Sequence, residues 1–255
     1  MPHLARITIY PIKSFDGVAL PNVKVLPSGA LADDRRLAVC DAEGVYFNGK
    51  RSAVVHRIRS EFDEHLNTVR MSTDGTNALF HLASERELLC EYLSGLFGRP
   101  VTLREDLATG LPDDTESPGP TVVSTATLET VASWFPGMGM EEIRRRFRAN
   151  LEIDGVEPFW EDRLYGEPGV RVPFRIGQVG WLGNNPCRRC VVPTRDPDSG
   201  EVWPRFARVF IAKREETLPP WAARSRFDHF NRLTINTLLD ELGAGELRVG
   251  DEVSV

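Results

Sequence analysis

Two cysteines three positions apart, Cys187 and Cys190, enclose Arg188 and Arg189 in the segment NNPCRRCVVPTRDPDSGE. Neighbouring guanidinium groups favour a thiolate over a thiol, and the thiolate is the form that attacks electrophiles and binds metals. Several chemistries fit the spacing. A structural zinc site needs four ligands, and beyond this pair the chain offers Cys40, Cys90 and five scattered histidines, so zinc is disfavoured. A thioredoxin-like centre sets C-x-x-C at a helix N-terminus after a strand. Here Pro193 and the turn Asp196-Pro197-Asp198-Ser199-Gly200 follow at once. The plain alternative is a reduced, inert pair on a surface loop. Four unevenly spaced cysteines do not make a disulfide framework.

The elements that must hold this loop read as short strands with a few helices. The first hundred residues alternate the apolar runs LARITIY, VALPNVKVL, RRLAVCD and VYFNG with turns rich in Gly, Pro and Asp. A helix is predicted over 84–97, opened by the capping box Ser84-x-x-Glu87, striped by Leu89, Tyr92, Leu93 and Leu96, and stopped by Gly98 and Pro100. The polar stretch TGLPDDTESPGP, residues 109–120, has no apolar periodicity and reads as an exposed connection between a unit over 1–108 and another over 121–255. In the second unit, Val122-Val123-Ser124 leads into a helix carrying Leu128, Val131, Trp134 and Phe135, and a short helix covers Met140 to Arg146. Strands are predicted in FRANLEI, PFRIGQVGWLG, VPTRD, RFARVFIA, RLTINTL and LRVGDEVSV, the last with a hairpin turn at Gly250-Asp251. No fixed-period repeat argues for a solenoid or propeller.

A chain that is 41% hydrophobic and 27% charged can bury a core without covalent staples. Its net charge of -6 argues against a surface made for nucleic acid or an anionic membrane, while leaving room for a local basic cleft. The start MPHLARITIYPIKSF lacks the pattern of a secretory signal, and no apolar run approaches a membrane span. The expected compartment is the cytoplasm.

Cys190 followed by five residues and then Asp196-Pro197-Asp198-Ser199-Gly200 resembles the R-C-x-x-x-x-x-D-P-x-T/S-G signature of MOSC domains, with Ser199 where many members carry Thr. IYPIKSFDGV is similar to the opening Y-P-x-K-S of the N-terminal β-barrel domain that accompanies them, and DDRRLAV to that domain's D-R-x-W/L-x-V strand. RFRANLEIDGVEPFWEDRL is similar to the family's F-R-x-N segment, and LRVGDEV to its closing strand. These motifs run from residue 9 to residue 253. The two-domain arrangement resembles the mitochondrial amidoxime-reducing component and its bacterial relatives.

The resemblance implies a mostly β fold with α (α+β), built as two β-barrel-like domains, and a molybdenum-pterin cofactor between them. Cys190, rather than Cys187, falls on the metal-ligand position, and soft sulfur suits molybdenum. The cofactor phosphate falls to Lys13, Ser14, Arg35, Ser124, Thr125, Arg148 and Asn150, whose forks and hydroxyls suit it. Arg36 competes with Arg35, because strand neighbours face opposite sides. Asp196 falls near the metal as a catalytic candidate, although a turn-forming role is the commoner one for such a residue. Arg232 and Asn236 are weaker candidates for the same cleft, His229 for proton supply only. The implied activity is reduction of an N-hydroxylated or N-oxygenated small molecule. Electrons then require a separate donor protein, since the chain has no iron–sulfur spacing, haem-attachment motif or dinucleotide glycine fingerprint. Two other readings use the same residues: a sulfur carrier with a Cys190 persulfide, and a non-catalytic cofactor-binding protein.

Overall fold

A computed structural model describes every residue of the chain except Leu242. LARITIY forms strand β1 (His3–Ile9), in which Leu4, Ile7 and Ile9 all point into the core. Leu4 and Ile7 share that face despite their odd spacing because the pairing register shifts between Leu4 and Arg6, as a bulge requires. Strands β2 (Val18–Leu20), β3 (Asn22–Lys24) and β4 (Leu37–Cys40) follow, then the single turn α1 (Val54–Arg57). An antiparallel meander of β5 (Arg59–Phe62), β6 (Thr68–Thr73) and β7 (Thr76–His81) leads to α2 (Arg86–Phe97) and β8 (Thr102–Glu105). Beyond the connection lie β9 (Val122–Ser124), α3 (Thr125–Ser133), α4 (Met140–Phe147) and β10 (Leu151–Asp154). The hairpin β11 (Val172–Ile176) and β12 (Val179–Arg188) comes next, then α5 (Phe206–Glu216), β13 (Arg232–Leu239), β14 (Glu246–Arg248) and β15 (Val253–Ser254).

The main sheet has eight strands in the order β15-β11-β12-β13-β9-β10-β1-β2, with β9 and β10 parallel and the other pairs antiparallel. It therefore joins strands from before residue 109 to strands from after residue 120. The smaller ladders are β14-β3, β4-β8 and β5-β6-β7. Strand residues, about 32%, outnumber helical ones, about 21%, so the chain is mixed α/β with strands dominant. No closed barrel is found among the described residues, which corrects the expected pair of barrels. The edge strands β2 and β15 have three and two residues, too short to ladder across the opening. Isolated bonds tie the start of β1 to the final turn instead: Leu4 N to Asp251 O, Gly250 N to Leu4 O and Val253 N to Pro2 O.

Three apolar clusters hold these parts. One centres on Trp181, Ile7 and Leu151, a second on Phe15, Val55 and Leu89, and a third on Phe135, Phe147, Phe206 and Phe210. The third explains a correction, for RFARVFIA is helix α5 and not a strand. Phe206 and Phe210, four residues apart, both reach Phe147, with ring centroids 6.3 and 5.2 Å away, and only the helical period permits that. VPTRD is likewise no strand but a 3₁₀ turn, Val192–Thr194, with Pro193 inside it. Gly250 does turn the chain with φ 98. Yet β14 pairs with β3 and β15 with β11, so no hairpin forms there. Helix α2 ends on left-handed Gly98 as predicted, but no side-chain cap from Ser84 opens it. Among the described residues no helix is long and apolar enough to cross a membrane.

Candidate functional site

A cleft of about 720 Å³ opens beside the cysteine loop. Twelve Lys and Arg residues line it against six Asp and Glu, in a chain whose net charge is -6. Cys187 lies at the end of β12 and Cys190 just beyond, and both line the cleft. The Cys190 sulfur accepts a hydrogen bond from Val192 N at 3.4 Å, and Cys187 Sγ accepts one from Arg189 Nη1 at 3.4 Å.

Helix α4 fixes this loop. Arg146 is 1% exposed, and its Nη1 donates to Pro193 O at 2.9 Å and Arg195 O at 2.5 Å, while Nε and Nη2 donate to Glu142 Oε1. Arg145 reaches Pro197 O at 3.0 Å and Asp198 Oδ1 at 2.6 Å. Arg189 Nη2 returns the contact by donating to Phe147 O at 2.5 Å. A run of arginines of the kind that usually forms a solvated face is here a clasp on the loop that carries Cys190.

The opposite wall carries Lys13, Ser14, Arg35, Arg148 and Asn150, all lining the cleft. Ser14, Arg35 and Arg148 have left-handed backbones, φ 75, 50 and 53. Each such residue costs roughly 1–2 kcal/mol, and strain of this kind gathers at functional sites. The Tyr10 ring meets two guanidinium groups, Arg148 at 4.0 Å and Arg35 at 5.5 Å from its centroid. Arg35 pairs with the Asp34 carboxylate, whereas Arg148 Nη2 donates to Phe15 O at 2.7 Å and no carboxylate among the described residues pairs with it. Burial pushes the Arg148 guanidinium below the usual arginine range. Burial likewise lowers Lys13, against the opposing pull of Asp113. Arg36 turns away to Glu105 at 2.7 Å and Asp33 at 3.1 Å, so Arg35 is the one in the cleft. Asn150 spends its amide on the backbone, accepting from Thr121 N and donating to Thr8 O, both at 3.1 Å.

Residues 121–254 match the MOSC domain, and residues 1–89 match the MOSC N-terminal beta barrel domain. The chain belongs to the MOSC family. MOSC domains are associated with molybdenum cofactor binding. No curated protein matches the chain significantly.

Four of the candidates expected in this MOSC protein, Ser124, Thr125, Asp196 and His229, do not line the cleft. Ser124 is the N-cap of α3: its Oγ accepts from Thr127 N at 3.1 Å and donates to Thr127 Oγ1 at 2.7 Å. Thr125 follows it, with a buried Oγ1 that has no partner among the described residues. Asp196 folds the turn, its Oδ1 accepting from Ser199 N at 2.8 Å and Asp198 N at 3.0 Å. Burial pushes that carboxyl up, but those bonds outweigh it and hold the group below the usual carboxylate range. It is an acceptor rather than a proton store. Arg232 and Asn236 do line the cleft, and His229 does not.

Sequence reasoning passed over Tyr10, His56, Asn185, Arg189 and Asp113, which line the cleft as well. Tyr10, Asn185 and Arg189 lie inside segments already singled out, so their position carried a signal, whereas His56 and Asp113 lie in segments without a chemical motif. The stretch 109–120 is also more than an exposed connection. Leu111 and Ser117 are buried, and the segment crosses the cleft.

Proposed function

We propose that this MOSC protein holds a molybdenum-pterin cofactor in the cleft and reduces N-hydroxylated or N-oxygenated small molecules, as its likeness to amidoxime-reducing components suggests. The observation that carries the reading is that Cys190 lines the same cleft as Lys13, Arg35 and Arg148. The donor set suits the group: soft sulfur for the metal and buried cations for a phosphate. Asn185 Oδ1, Arg189 Nε and Arg232 Nε are buried at this cleft without partners among the described residues, an acceptor and two donors that a polar ring system would satisfy.

When bound, the cofactor supplies two-electron oxygen-atom chemistry. The chain's own residues do the rest. Cys190 is the thiolate ligand on a loop held by Arg146, and Lys13, Ser14, Arg35 and Arg148 hold the phosphate. Asp16 is a cleft carboxyl that burial pushes up against the opposing bond from Ser60 N, with Arg59 Nη1 3.3 Å from its Oδ1, and it is the cleft acid to which this reading assigns proton transfer. Electrons come from a separate donor protein.

The test is metal and pterin analysis of protein made in a host that synthesises the cofactor, with Cys190→Ala alongside. Stoichiometric molybdenum that disappears in the variant supports the ligand role. Benzamidoxime reduction with an artificial electron donor then separates a reductase from a cofactor-storing protein. Molybdenum absent from the wild type, with an extra sulfur on Cys190 by mass spectrometry, would replace this reading with the sulfur carrier.

A further inference from the structure

Lys13 and Lys50 both end on one carboxylate. Asp113 Oδ1 is 2.6 Å from Lys13 Nζ, and Asp113 Oδ2 is 3.2 Å from Lys50 Nζ. The segment that bears Asp113 is tied to both walls of the cleft. On one side Lys13 Nζ also donates to Leu111 O at 2.7 Å. On the other, Asp114 Oδ2 accepts from Asn236 Nδ2 of β13 at 2.9 Å, and Ser117 Oγ accepts from Asn184 Nδ2 of β12 at 2.9 Å. The strap therefore lays a carboxylate on a cation that the proposed function gives to the cofactor phosphate. The two partners differ in freedom: the Lys13 side chain is 7% exposed, that of Asp113 62%. Asp113 has water to withdraw into, whereas Lys13 must stay and needs an anion.

We propose that Asp113 is a built-in competitor for the anion seat at Lys13 and Lys50, and that it sets a charge threshold for whatever binds there. This rests on the reading that the Lys13 seat takes a phosphate. An incoming monoanion would exchange one single charge for another and gain little. A phosphate monoester, with a second negative charge and three acceptor oxygens at neutral pH or above, gains on the carboxylate it displaces. Asp113 thereby raises the affinity that any incoming anion must bring, a threshold that a dianionic monoester meets more readily than a diester.

The experiment uses the full chain made in a host without cofactor synthesis, titrated calorimetrically at pH 8 with methyl phosphate, a dianion, and dimethyl phosphate, a monoanion. Wild type should prefer methyl phosphate. Asp113→Asn should bind both more tightly, each by about tenfold, the scale of one charge-assisted pair, because displacing the carboxylate costs either ligand the same. Glu116→Gln removes a negative charge from an exposed position of the same segment, outside the cleft lining and without touching the lysines, and should change either affinity less than about twofold. Lys13→Ala should abolish the gain in the Asp113→Asn background. Affinities unchanged or weakened in Asp113→Asn, with methyl phosphate binding still dependent on Lys13, would overturn the competitor while leaving the cofactor reading intact. An equal gain in Glu116→Gln would also overturn it, as a general field effect. Methyl phosphate binding that is absent or indifferent to Lys13→Ala would remove the phosphate seat and the competitor with it.

Discussion

Glu161 is a carboxyl sealed inside the protein, 1% exposed, and replacing it with Gln should leave a clear mark on stability against pH. Burial first, and then the neighbouring Asp162, push Glu161 from an ordinary 4.5 up to about 7. One of its oxygens, Oε2, accepts from Thr127 Oγ1 at 3.0 Å, and the other, Oε1, has no partner among the described residues. Between pH 4.5 and 7 the folded chain keeps a proton that the unfolded chain has released, so stability must fall as pH rises through that window and level off above it. At 1.36 kcal/mol for each pH unit, the full drop is about 3 kcal/mol. Gln resembles the protonated acid, placing N–H where the acid has O–H, and it cannot ionise. Asp162 is coupled to Glu161, so the difference between the two proteins reports the titration of the pair. Urea unfolding at pH 4.5, 6, 7 and 8 should therefore show Glu161→Gln close to wild type at the lowest pH and more stable by about 3 kcal/mol at pH 8. A difference between the two proteins that stays constant with pH would refute the reasoning.

Two further variants probe the support of the cysteine loop. Arg146→Met removes the buried clasp and strands the carbonyls of Pro193 and Arg195, so urea unfolding should show a loss of about 3–5 kcal/mol. Molybdenum retained by the folded fraction should drop with it, and wild-type retention would show that the clasp does not position Cys190. Gly183→Ala sets a Cβ 1.6 Å from Leu164 O, a backbone atom that cannot swing aside. A loss of roughly 3 kcal/mol, read as a lowered Tm, is expected, and an unchanged Tm would contradict the close packing of β12 on that segment.

Much of the cysteine loop and its supports could be read from residues close together in the chain. Asp196 and Gly200 fold their turn within five positions and Gly98 ends α2, because turns and helix ends are made by atoms a few residues apart; the cap that Ser124 gives the helix it precedes is as local, yet the family resemblance assigned that side chain to the phosphate. The F-R-x-N motif likewise put Arg148 in the cleft, at the left-handed end of α4. The choice of Arg35 over Arg36 was not local, and it was settled by Glu105, which draws Arg36 to the other side. RFARVFIA has an ambiguous pattern, and α5 formed because distant Phe135 and Phe147 supplied a surface for its helical face. Arg146 reads as a solvated cation until the fold brings up carbonyl groups 47 and 49 residues away. The open sheet and the strap over Lys13 belong to the same class. Sequence alone determined the chemistry on offer, a cysteine loop and scattered cations, since composition and turn geometry are local properties. Tertiary structure decided which cations are buried, paired or free, because burial and charge pairing depend on what the rest of the chain places within a few ångströms.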